Sequence, residues 1–287
     1  MKKFFTTALI ATLAIASCTT IEDVQMPAVQ QVENHEIAFR ATAAGSVKAA
    51  SSEAVIAENE MSVAAYNVTS SSDYFTGTSF NKGASHYAGG KYWPNSISYI
   101  NFLAYAGAED AVFESAGQFT VEVADNKDAQ SDYFYAIGHG EVSQSAGSLS
   151  FPSDVELSFS RALALVNFAV EGLEVESITL TGASFGGTLT VKENNFNAKN
   201  GQAVSASWTN VTPAESAIVP AQGLKVIPQA MGASGFKVAY TVNGKAASFT
   251  YFFSADEKNY EAGMSYTYTL SASENGIAVC ASAQAWN

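Results

Sequence analysis

Basic residues are scarce in this sequence. Lysine and arginine together number 14 against 27 acidic residues, and the formal charge is −13. Removal of Lys2 and Lys3 with a leader would make it more negative still. A chain so acidic repels phosphate backbones, which excludes nucleic acid as a natural partner. Cysteine is scarcer, with Cys18 and Cys280 alone. Two thiols are too few for a structural zinc site. The three histidines, His35, His86 and His139, stand apart, with no metal-ligand spacing and no nucleophile motif beside them. The glycine-rich piece Ser184-Phe185-Gly186-Gly187-Thr188 lacks the lysine and the strand-loop-helix setting of a phosphate loop. No cofactor site and no catalytic constellation is legible, and the chain reads as a non-enzyme. Only paired carboxylates brought together from distant positions would change that. Long amphipathic helical stretches are missing as well.

The N-terminus holds one short apolar run. Lys2 and Lys3 precede Phe4 to Ala16, a segment too short to anchor in a bilayer and laid out like a secretory signal. Ile15-Ala16-Ser17-Cys18 resembles a bacterial lipobox, which makes Cys18 the lipidation site and residues 1–17 a lipoprotein signal peptide. Acylation of Cys18 would leave Cys280 without a disulfide partner in the chain. Residues 18–34 are polar, carry Pro27 and read as a tether.

Beyond the tether, apolar residues alternate with period two. Ile37, Phe39, Ala41 and Ala43 share one face of a first strand, with Arg40 on the other. Phe119, Val121 and Val123 repeat the pattern, as do Val155, Leu157 and Phe159. Asn243-Gly244 and Asn275-Gly276 each separate two alternating runs. Asn-Gly is the strongest short hairpin signal, because both residues tolerate the positive φ of a type I′ turn. The glycines of Ile137-Gly138-His139-Gly140-Glu141 suggest another turn. Aromatic content, with 18 Phe and 13 Tyr, also favours strands. An all-β chain of two tandem β-sandwich domains follows, residues 35–160 and 161–287.

Several segments together resemble the fimbrillin-like family, the subunits and relatives of type V pili. They are YWPNSISYINFLAYA (92–106), SVAAYNV (62–68), VELSFSRALALVNFAVEGLEVESITLTG (155–182), VIPQ (226–229) and YEAGMSYTYTLSASENGIAV (260–279), in the family's order. Two departures stand out. Arg161 occupies a place where a histidine is common, and Ala283-Gln284-Ala285-Trp286 replaces an Ile-x-x-Trp ending. The resemblance implies transthyretin-like sandwiches, lipoprotein export to the outer membrane, and assembly with other subunits into a surface fimbria used in adhesion to host or bacterial surface ligands. It also implies proteolytic removal of the first strand, so that a neighbour's strand can fill the gap.

Lys48, followed by Ala49 in a small-residue loop, matches the family's processing position, where arginine is usual. It reads either as the cleavage site or as a plain loop lysine. Arg40 is a poor site, because a residue paired in a sheet must first be opened. Shaft, tip and anchor roles stay open. The competing reading is a surface lipoprotein that binds glycans through Tyr92, Trp93, Tyr99, Phe102 and Tyr105. Exposure of Trp93 would favour the glycan binder. Buried aromatics and a first strand paired at a sheet edge would favour the fimbrial subunit.

Overall fold

The computed structural model describes residues 34–43, 60–199, 203–230, 235–242, 245–253, 259–273 and 276–286. Among these residues every regular element is a strand. In chain order the first ten are β1 (Glu36–Ala43), β2 (Glu60–Asn67), β3 (Ser72–Lys82), β4 (Tyr87–Tyr92), β5 (Ser98–Gly107), β6 (Val112–Ser115), β7 (Gln118–Val123), β8 (Tyr133–Ser145), β9 (Ser148–Ser150) and β10 (Val155–Arg161). The next five are β11 (Ala164–Glu171), β12 (Glu174–Ala183), β13 (Gly187–Glu193), β14 (Val204–Thr209) and β15 (Glu215–Ile218). The last five are β16 (Leu224–Val226), β17 (Gly235–Val242), β18 (Lys245–Phe252), β19 (Met264–Ser273) and β20 (Gly276–Ala285).

The largest sheet has the order β10-β1-β4-β3-β2-β5-β8-β9, and a further β10–β8 pairing returns it to its start. Its two halves therefore face each other across one core, built from Ile37, Phe39, Phe80, Phe102, Leu157 and Phe159 among others. Every side chain of β5 except Gly107 is buried, because a second sheet, β14-β13-β7-β6, covers the opposite face. A continuous apolar run is what a strand covered on both faces requires.

The other two sheets, β16-β11-β19-β20 and β15-β12-β17-β18, enclose a separate core around Leu180, Phe236, Tyr266 and Tyr268. Both expected hairpins form, the first in the expected register, with Val242 paired to Lys245 around Asn243-Gly244. The second is shifted by one residue, because Ser273 pairs with Gly276 and so places that glycine in β20 instead of the turn. The expected boundary between residues 160 and 161 cuts β10 before its last residue, and the β14-β13-β7-β6 sheet draws two strands from each side of it.

The turn expected at Gly138 and Gly140 is absent. Both glycines lie in mid-strand β8. A Cβ at Gly140 would sit 2.3 Å from the Trp93 ring, and one at Gly138 would sit 2.8 Å from a Leu157 methyl. Close packing selects glycine here, in the way a strand glycine marks close approach of a neighbour.

Tyr133 is fully buried, and its hydroxyl has no hydrogen-bond partner among the described residues. Burial pushes its phenol well above the ordinary tyrosine range. A raised folded-state pKa contributes stability that is present below the unfolded value and lost as pH climbs towards the folded one. Stability should therefore fall once pH exceeds about 10. Tyr133→Phe should keep neutral-pH stability and flatten that alkaline loss, measured by urea midpoints across pH.

Candidate assembly site

The first strand meets the rest of the protein through three kinds of contact. Its inward side chains enter the main core: Ile37 and Phe39 have no exposed surface and Ala41 very little. Phe39 makes edge-to-face contacts with Phe80 at 4.8 Å and Phe102 at 5.0 Å between ring centroids. Its backbone is paired on both sides, in parallel to β10 from Phe39↔Val155 to Ala43↔Phe159, and antiparallel to β4 at Glu36↔Tyr92 and Ala38↔Ala88. Its outer side carries one ion pair, Arg40 to Asp154 at 2.8 Å. With the Arg40 side chain 61% exposed, that pair contributes about 0–1 kcal/mol.

β1 is thus not an edge strand, contrary to the expectation. The β10–β8 pairing closes the sheet, so each strand between them has a neighbouring strand on either side, β1 meeting β4 through its first half and β10 through its second. The slot ends at His35, whose ring stacks on Phe151 at 3.9 Å and whose carbonyl accepts the backbone N–H of Trp93. Without β1, the facing edges of β10 and β4 would show unpaired N–H and C=O groups beside an apolar floor, a template for any strand of matching pattern.

The last strand has the opposite character. β20 pairs only with β19 and forms the outer edge of its sheet. Ile277 and Val279 pack partly on the core, but every residue from Cys280 to Ala285 is exposed. Its alternate residues, Ile277, Val279, Ala281 and Ala283, repeat the taper of Ile37, Phe39, Ala41 and Ala43.

The chain end is held more firmly than the strand before it. Trp286 donates its backbone N–H to the Gly263 carbonyl at 2.8 Å. The Arg161 guanidinium lies over its ring at 4.1 Å, and the Lys225 ammonium sits 6.0 Å from it. Both cations bond Asp132 Oδ2, with Lys225 at 3.2 Å. Arg161 closes β10, so one strand both lines the β1 slot and clasps the C-terminus. In the sequence Arg161 stands out only as a departure from a family histidine. Asp132 and Lys225 gave no signal, because residues distant in sequence meet only through folding.

The remaining expected residues divide plainly. Cys18, Lys48 and Ala49 lie outside the described residues. Ala43 continues the β1 ladder opposite Phe159. The aromatic group does not form a binding platform: Trp93, Tyr99, Phe102 and Tyr105 are buried, and Tyr92 alone is exposed. The glycan-platform reading therefore gives way to core packing, since β5 is covered on both faces and the Trp93 ring packs edge-on to Phe102 at 5.9 Å. His139 projects from β8 and stacks on Tyr99, and among the described residues no group of three or more His, Cys, Asp or Glu side chains could hold a metal. In the glycine-rich piece, Gly186 N–H bonds Thr212 Oγ1 at 3.1 Å and leads straight into β13.

The sequence profile of a family described as fimbrillin-like matches residues 39–286. No curated protein matches the sequence. Among solved structures, the chain is similar to a proposed cell adhesion protein of Bacteroides uniformis, with 18% identity and a TM-score of 0.57, over 88% of this chain and 99% of that one. A second proposed cell adhesion protein, from Bacteroides ovatus, shares 15% identity at a TM-score of 0.53, over 89% and 98%. A C-terminally truncated tip fimbrial protein of Porphyromonas gingivalis shares 10% identity at a TM-score of 0.50, over 88% and 100%. At these identities the likeness is one of fold.

Proposed function

This chain belongs to the fimbrillin-like family, and from that premise we propose that it is a structural, non-enzymatic subunit of a cell-surface fimbria, assembled by donor-strand exchange. The observation that carries the reading is β1 itself: an N-terminal strand that seals a closed sheet with both backbone edges and an apolar face. Cleavage after Lys48 would free it. A strand from a neighbouring subunit would then restore the same hydrogen bonds and burial. In this proposal β20 is the donor, since it is an edge strand, lightly buried, and matched to β1 in the spacing and taper of its apolar residues.

Donor and acceptor are different surfaces, so the contact is heterologous and propagates as a filament. A shaft position requires both surfaces, and this chain offers both. Before cleavage, acylated Cys18 would carry the subunit to the outer membrane. Adhesion partners would be host or bacterial surface ligands.

N-terminal sequencing of protein sheared from cells tests the proposal. The expected first residue is Ala49, and Lys48→Gln should leave the subunit unpolymerised. An acylated Cys18 on every sheared molecule would sink the shaft assignment.

A further inference from the structure

A polar groove of about 500 Å³ opens where three distant parts of the chain meet. Tyr66 of β2 forms one wall, the β6–β7 turn with Gln118 a second, and the end of β13 with Asn194 and Asn197 the third. At its edge sits Glu193, only 3% exposed. Its Oε1 accepts backbone N–H bonds from Asn195 at 3.1 Å and Ala203 at 2.7 Å. Its Oε2 is buried and has no partner among the described residues. A buried carboxylate oxygen left without a donor is costly, and such groups call for an explanation.

The loop that carries these residues is held in place. Buried Asn101 donates its side-chain amide to the Phe196 carbonyl at 2.6 Å and the Ala198 carbonyl at 3.1 Å. Tyr66 also packs against Phe196, with ring centroids 6.0 Å apart. The groove is therefore built on a fixed floor, and its size lies within the usual range of small-ligand sites.

We propose that this groove binds a neutral saccharide, with Glu193 Oε2 accepting a ligand hydroxyl and Tyr66 facing the apolar side of a pyranose ring. The lining chooses this class over others. Glu193 and Asp73 both line the groove and repel phosphate or sulfate. Lys192 lines it too and repels a metal ion, which would in any case need six or more oxygen ligands if it were calcium. The amides of Gln118, Asn194 and Asn197 both donate and accept, as vicinal hydroxyls require. None of these residues belongs to the buried Trp93 group, and none takes part in the β1 slot, so binding and assembly are separable.

Saturation-transfer NMR on the full chain tests this, with methyl glycosides of glucose, galactose, mannose and N-acetylglucosamine at millimolar concentration. At least one should receive saturation and titrate to a plateau. Glu193→Gln should weaken that binding roughly tenfold or more. Exposed Asn197→Ala, which leaves every backbone bond of the loop intact, should weaken it several-fold and keeps the test valid should Glu193→Gln fail to fold. Absence of saturation on all four probes would overturn the proposal. So would binding that survives both substitutions, or calcium chloride raising the melting temperature of the parent but not of Glu193→Gln.

Discussion

A chain that begins at Ala49 should polymerise, or aggregate when its donor strand is blocked, where the longer chain stays monomeric. The reason lies in what β1 contributes. Ile37 and Phe39 are fully buried, and each large apolar side chain is worth about 1.5–3 kcal/mol. Their removal, with two backbone ladders, takes a large share of a native stability of about 5–15 kcal/mol. An exposed strand edge beside an apolar groove then recruits the next available strand. A peptide with the sequence of residues 35–43 added in excess should suppress polymerisation by refilling the slot. A chain that also lacks residues 276–287 should bind that peptide yet never elongate. Size-exclusion chromatography with light scattering reads each case. A monomeric product from the chain beginning at Ala49, stable without peptide, would reject strand exchange.

Replacing Asp132 with alanine should be the most damaging single change outside the hydrophobic cores. Arg161, Asp132 and Lys225 are each about one-fifth exposed or less. Removing the carboxylate leaves two neighbouring cations facing each other with no anion between them, although Lys225 still bonds the Gln130 carbonyl at 2.6 Å and Arg161 still lies over the Phe134 ring. Breaking a buried pair in this way costs about 3–5 kcal/mol, and partial exposure places this site near the lower end. Urea unfolding should show a loss of about 3 kcal/mol. The same change loosens the two cations over Trp286, so the C-terminus should open. Tryptophan emission should shift to the red, and the shift should vanish in a Trp286→Phe background. By contrast, Arg40→Ala breaks an exposed pair and should cost about 0–1 kcal/mol. Similar losses from the two substitutions would mean that the clasp is surface decoration.

Much of this protein is legible in its sequence. Period-two alternation assigns Ile37, Phe39 and Ala41 to one face, and the structure buries all three. Asn-Gly between alternating runs assigns two hairpins; the residues flanking Asn243-Gly244 pair as expected, while the second hairpin closes one residue earlier, at Ser273 and Gly276. These are local facts, fixed by side chains within a few residues of each other. Motif order also pointed to the family that the profile match then established.

The partner of each strand is another matter. Alternation says which side of a strand faces a core, but not which strand lies beside it. Only the fold sets β1 between β10 and β4, and only the β10–β8 pairing removes the free edge expected for it. Gly138 and Gly140 read as a turn because a sequence cannot show the Trp93 ring and the Leu157 methyl pressed against their Cα atoms. Arg161, Lys225 and Asp132 close on Trp286, and Tyr66, Gln118 and Glu193 line one groove, across separations that no local pattern spans. The sequence by itself determined strands, faces, hairpins and family, since those follow from neighbours along the chain. Tertiary structure decided the slot, the clasp and the groove, because each is made by residues that meet only when separate strands are packed together.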